Sequence, residues 1–148
     1  MELVKGKVSD KDEEGLCASV EKRSKLFFQK LQHCICYHTF KKMKIGIIIE
    51  TKEFEKAWNA FRFAITAKKL GNEVKVFLMG EAVECEGLTH SKYNVDEQLK
   101  MFSNNGGEIL ACGTCLKSRQ LDSSDTCPIS TMVDCVNMVL WADKTVTF

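Results

Sequence analysis

The clearest signal along the chain is a short, unbroken apolar run, Lys44-Ile45-Gly46-Ile47-Ile48-Ile49, closed by Glu50. A run of this length without alternation is how a strand buried on both faces reads. Thr51 is placed to cap the helix that follows. Phe54, Ala57, Trp58, Phe61 and Ile65 then recur at helical spacing, with charged residues between them, and Gly71 is the expected C′ residue. Residues 73–79 make a second strand, closed by Gly80. Residues 80–92 are mixed and read as a loop with a short helical turn. Asn94 caps a helix carrying Val95, Leu99, Met101 and Phe102, which must end before the breaker cluster Asn104-Asn105-Gly106-Gly107. A third strand, residues 108–111, leads directly into Cys112. Residues 115–119 suit one or two helical turns, and 120–126 a polar loop. Ser130 is the expected cap of a helix with Met132, Val133, Val136, Val139 and Leu140 on its apolar side, and residues 143–148 read as a last strand.

Strands alternating with helices in this way imply right-handed crossovers, hence an α/β fold of three layers, α/β/α, around a mostly parallel sheet. The first 42 residues do not share the pattern. Residues 5–14 are charged and aperiodic, and Val20, Leu26, Phe27 and Leu31 give only a thin apolar face. The expected division is an N-terminal extension over 1–42, poorly structured or a wrongly assigned start, and one domain over 43–148.

Charge supports the same boundary. Residues 1–42 hold nine Lys/Arg and six Asp/Glu, whereas 43–148 hold twelve and fourteen. With a formal net charge of +1, the chain offers no electrostatic attraction for nucleic acid or for an anionic membrane. No apolar run approaches the roughly 18 residues of a membrane span. The charged start lacks the apolar stretch of a secretory signal, so the expected location is the cytoplasm, and the eight cysteines read as thiols rather than as a disulfide framework.

Among those thiols Cys112 stands out by position. Parallel sheets build their sites at the carboxyl ends of strands. A thiolate at the start of a helical turn is stabilised by backbone N–H groups, and Lys117 and Arg119 add positive charge nearby. Cys112 is therefore expected to be more exposed and more acidic than the other cysteines of the domain; the alternative is a thiol packed under the loop. Cys115 completes a Cys-x-x-Cys pair. It reads either as a resolving thiol that closes a disulfide with Cys112 or as a core residue one turn on.

Lys44 to Ile49, Val76-Phe77-Leu78-Met79-Gly80-Glu81-Ala82-Val83, Gly107-Glu108-Ile109-Leu110-Ala111-Cys112-Gly113-Thr114-Cys115 and the closing residues 139–148 together resemble, in order, the DsrE/DsrF-like (DsrE/TusD/YchN-like) sulfur-relay family. The resemblance spans 43–148. It implies a DsrE/YchN-like fold, homo- or hetero-oligomeric assembly, and sulfur donor and acceptor proteins as partners; a homo-oligomer without a cofactor is the expectation. It puts Cys112 at the sulfur-relaying position, with Arg119 where relatives carry a basic residue. Cys115 departs from the pattern of relatives with an established relay role.

The expected function is thus a cytosolic sulfur-relay protein, a possible sulfurtransferase or persulfide carrier, holding sulfane sulfur on Cys112. Lys117 and Arg119 are the candidate anion-stabilising residues. The rival reading is a non-enzymatic oligomeric domain whose Cys112 loop binds a small ligand or partner. A metal module is weaker: of Cys112, Cys115, Cys127 and Cys135 only the first two have ligand spacing, and His33, Cys34, Cys36 and His38 match no strong motif. His90 reads as a solvated loop histidine, Trp58 and Phe61 as packing residues, and Asp134 and Asp143 as capping or surface charges. No phosphate-binding glycine fingerprint is present.

Overall fold

The computed structural model describes residues 42–148. The expected extension over 1–42 and the His33–His38 cluster lie outside those residues, apart from Lys42.

Five strands form one sheet: β1 Lys44–Ile49, β2 Glu73–Leu78, β3 Glu108–Cys112, β4 Ile129–Ser130 and β5 Lys144–Thr147. Their order across the sheet is β4-β3-β2-β1-β5, and every neighbouring pair is parallel. The Ile-rich β1 lies second from the edge, paired with β2 and β5, which explains its lack of polar alternation.

The connections are α1 Phe54–Lys69, a 3-10 helix Gly80–Glu84 followed by α2 Val95–Asn104, α3 Gly113–Ser118, and α4 Met132–Trp141. Going from β1 to β2 to β3 the chain steps in one direction, so right-handed crossovers put α1 and α2 on the same face. From β4 it returns across the whole sheet to β5, which sends α4 to the opposite face. The result is the three-layer α/β/α arrangement. The core between layers includes Ile47, Ile49, Phe61, Phe77, Leu78, Leu99 and Phe102, all fully buried. Small residues on α1, Ala57, Ala60 and Ala64, let that helix approach closely.

Several local expectations match. Gly71 takes φ +88° just past α1. The Asn94 side chain accepts from the Glu97 N–H at 3.3 Å, capping α2. Asp143 accepts from the Lys44 N–H at 2.9 Å, and Asp134 completes a capping box with Thr131.

Three details differ. Glu53, not Thr51, is the N-cap of α1, and the Thr51 hydroxyl instead accepts from the Glu53 N–H at 3.0 Å. Thr131, not Ser130, caps α4, because Ser130 is already the end of β4. That strand has two residues, too short to leave any periodicity. Finally, the apolar side of α4 faces solvent. Cys135 and Met138 are its buried residues, whereas Val133 and Leu140 are 68% and 78% exposed, and Met132 and Val136 are about half exposed. Residues three apart share a helix face, so the Cys135/Met138 stripe meets the sheet and leaves the richer apolar stripe outside.

Candidate functional site

The carboxyl ends of β2, β3 and β4 converge on one place. Cys112 is the last residue of β3 and the N-cap of α3, and Cys115 lies in the first turn of that helix. The i, i+3 spacing puts both side chains on one face. Beside them β4 runs into Thr131 and α4. Gly113 is what lets the two strand ends approach: a Cβ there would lie 2.9 Å from Ile129 Cγ1 and 3.2 Å from the Ser130 carbonyl oxygen. Between them is a cleft of about 530 Å³ lined by Cys112, Cys115, Ile129, Ser130, Thr131 and Met132, among others.

The two thiols differ in access. Cys112 is 4% exposed and belongs to the core, whereas Cys115 is half-buried. The expectation that Cys112 is the most exposed thiol of the domain is therefore corrected: Cys115 is the most accessible of the five described cysteines. β4, which the sequence pattern did not reveal, pairs beside Cys112 through Ser130 and makes β3 an interior strand, and Cys135 of α4 lies near the thiol.

Polar contacts also gather at Cys115. The backbone N–H of Gly80 donates to its Sγ at 3.2 Å. Burial raises the Cys115 thiol pKa above the usual value, and a hydrogen bond with Cys112 raises it further. The Gly80 N–H and the Arg119 charge act in the opposite direction. Cys135 lies near Cys112, and its pKa is raised by burial first and by Cys112 second.

Arg119 is held by Glu84. Its Nε donates to Glu84 Oε1 at 3.0 Å, while Lys52 Nζ donates to the other carboxylate oxygen at 2.7 Å. Arg119 Nη1 also reaches the Cys115 carbonyl at 3.4 Å. The Lys52 hydrogen bond, opposed by partial burial and assisted by Arg119, keeps the Glu84 carboxyl below the usual range. The network ties the segments after β1, β2 and β3 together. Lys117 is exposed on α3. Among the described residues neither Lys117 nor Arg119 donates a hydrogen bond to the Cys112 or Cys115 sulfur.

The remaining cysteines are placed elsewhere. Cys127 lies by Cys85 and Glu86, and burial pushes the Cys85 and Cys127 thiols each up to about 12. Cys112, Cys115, Cys127 and Cys135 thus do not form one ligand set, and no group of three or more His, Cys, Asp or Glu among the described residues is arranged to hold a metal ion. His90 is exposed, and its Nδ1 accepts from the Lys92 and Tyr93 N–H groups, each at 3.2 Å. Phe61 is fully buried, and Trp58 packs edge-on against Tyr93 with ring centroids 5.4 Å apart. The site residues that sequence reasoning missed are Gly80, Ile129, Ser130, Thr131 and Met132. Gly80 left a signal as the glycine closing a strand, and Ser130 and Met132 as a cap and an apolar helix position, none of which pointed to the site.

An all-parallel α/β domain with a dithiol at the carboxyl edge of its sheet is the class that this fold and site define. Residues 43–148 match the DsrE/DsrF-like family, and the chain belongs to it. It is similar to an uncharacterised protein of Methanocaldococcus jannaschii, with 32% identity over 114 residues covering 72% of this chain and 100% of that one. It is also similar to an uncharacterised protein of Methanopyrus kandleri, with 35% identity over 100 residues, 64% of this chain and 83% of that one. Among solved structures, a conserved protein of unknown function from Bacteroides thetaiotaomicron shares the fold at a TM-score of 0.56 and 16% identity, over 71% of this chain and 95% of that one. No helix among the described residues is long and apolar enough to cross a membrane.

Proposed function

We propose that this protein relays sulfane sulfur as a persulfide on Cys112, with Cys115 as the resolving thiol. The observation that carries this reading is the pair of thiols sharing one cleft at the carboxyl edge of β3 in a DsrE-family chain. In loading, a thiolate attacks the outer sulfur of a donor persulfide. The donor S–S bond breaks, the donor thiolate leaves with the electron pair, and the sulfur stays on the protein. In delivery, an acceptor thiolate attacks the outer sulfur of the protein's persulfide; the S–S bond breaks, the sulfur leaves on the acceptor and the protein cysteine returns to thiolate. If Cys115 attacks the inner sulfur instead, a Cys112–Cys115 disulfide forms and hydrosulfide leaves; a reducing dithiol then resets the site. Arg119, held by Glu84 next to the Cys115 turn, supplies positive charge for the anionic forms.

Donor and acceptor are proteins presenting reactive thiols, in a reducing compartment such as the cytoplasm. The functional unit is a homo-oligomer joined through α4, whose outward Val133, Val136 and Leu140 form an exposed apolar stripe. Met132 belongs both to this exposed face and to the cleft, so a neighbouring copy shelters the persulfide from water.

The test is exposure of the reduced protein to inorganic polysulfide, followed by persulfide trapping and site mapping by mass spectrometry. One added sulfur on Cys112 is expected, absent in Cys112→Ala. A protein that gains no sulfur on either cysteine of the pair leaves the ligand-binding alternative in its place.

A further inference from the structure

We infer that Cys115 is the port of the site: sulfur enters and leaves through the Cys115 thiol, and passes to the buried Cys112 for storage. The inference rests on the persulfide-carrier reading and assigns the two thiols different tasks within it.

The first argument is access. A sulfur-exchange step requires near-linear approach of the attacking thiolate to an S–S bond, so a large donor must reach the attacked atom. Cys112 is 4% exposed, at the end of a strand flanked on both sides, by β2 and by β4. Cys115 is half-buried on the same helix turn and opens to the cleft. The second argument is charge placement. The groups able to stabilise an anionic sulfur stand at Cys115: the Gly80 N–H lies 3.2 Å from its Sγ, and Arg119, locked by Glu84, sits over the Cys115 carbonyl. The third is adjacency. The two thiols stand three residues apart at the start of α3 and line the same cleft, so sulfur bound to one is close to the other.

The steps balance. The Cys115 thiolate attacks a sulfane sulfur of the donor; one donor S–S bond breaks, and the shortened donor leaves as a thiolate or hydrosulfide. The Cys112 thiolate then attacks the outer sulfur of the Cys115 persulfide. A new S–S bond forms on Cys112, the bond to Cys115 breaks, and the electron pair stays on Cys115 as thiolate. The proton released by Cys112 passes to Cys115, and no net oxidation occurs. Delivery runs the same steps in reverse toward an acceptor thiol.

The experiment uses the full reduced chain, inorganic polysulfide as donor, and alkylation at timed intervals with mapping of the added sulfur. In the wild type, sulfur appears first on Cys115 and accumulates on Cys112. In Cys112→Ala it remains on Cys115. In Cys115→Ala and Cys115→Ser, loading of Cys112 slows by about tenfold or more, since access of the attacking thiol limits the rate. A brief iodoacetamide pulse on the unsubstituted protein, without polysulfide, gives an independent check: Cys115 alkylates before Cys112. Loading of Cys112 at the wild-type rate in the Cys115 variants, or first alkylation at Cys112, overturns the port while the carrier reading stands. Failure of the wild type to take up sulfur on either residue overturns both.

Discussion

The Gly80 N–H points at Cys115 Sγ across 3.2 Å, so the turn that ends β2 also supplies a partner for a thiol thirty-five residues away. Gly80 holds φ +56°, and a Cβ there would lie 2.9 Å from the Glu50 carbonyl oxygen. Both features demand glycine. Gly80→Ala is expected to cost about 1–3 kcal/mol from backbone strain and the close contact. It should also slow alkylation of Cys115 at neutral pH, because a displaced N–H no longer favours the thiolate. Urea titration and iodoacetamide kinetics measure the two effects. A variant with wild-type stability would show that the turn relaxes freely.

Alkaline pH should unfold this domain through Cys85 and Cys127. Burial holds each folded thiol at about 12, against an ordinary 9.0. Between those values the unfolded chain has lost its thiol protons while the folded chain keeps them, so folding is linked to proton uptake. Stability is full below about pH 9 and falls as pH rises toward 12. Cys85→Ala combined with Cys127→Ala should flatten that slope in pH-dependent denaturation curves, whatever its effect at neutral pH. An unchanged slope would locate the alkaline sensitivity elsewhere.

The outward stripe of α4 is the expected contact between copies. Val133→Glu with Leu140→Glu places charge at two of its most exposed apolar positions. Sedimentation at micromolar concentration should show the wild-type assembly and a smaller species for the double variant. The thermal midpoint of the dissociated variant should not drop below that of the wild-type chain diluted to the same state, since neither side chain is in the core. A wild-type monomer at that concentration would count against the stripe as an interface.

The family match and the first strand both begin at residues 43–44, and the described core lies wholly within 47–138. A chain starting at Met43 should therefore fold with a melting temperature within a few degrees of the full protein. The Lys42–Glu73 ion pair, 3.0 Å long and exposed at both ends, contributes little. Loss of cooperative melting in the shortened chain would move the domain boundary upstream.

What the sequence determined by itself is everything that repeats locally. The unbroken Ile run of β1, the Phe54–Ile65 spacing of α1, the Asn94 cap and the Gly71 stop each arise from contacts within a few residues. Their alternation forces parallel strands and right-handed crossovers, which delivers Cys112 to the carboxyl edge of the sheet. Tertiary structure decided the rest. A two-residue strand, β4, carries no periodic signal, yet it flanks β3 at Cys112, whose thiol is buried in the folded domain while Cys115 is the accessible one. Arg119 is near Cys112 in sequence, but Glu84, from a distant turn, holds it beside the Cys115 carbonyl. On α4 periodicity located an apolar stripe but not which side meets the sheet, because two stripes competed and the crossover geometry chose the one with Cys135 and Met138. Exposure and charge placement depend on which distant segments arrive beside a residue, and local spacing carries no record of that.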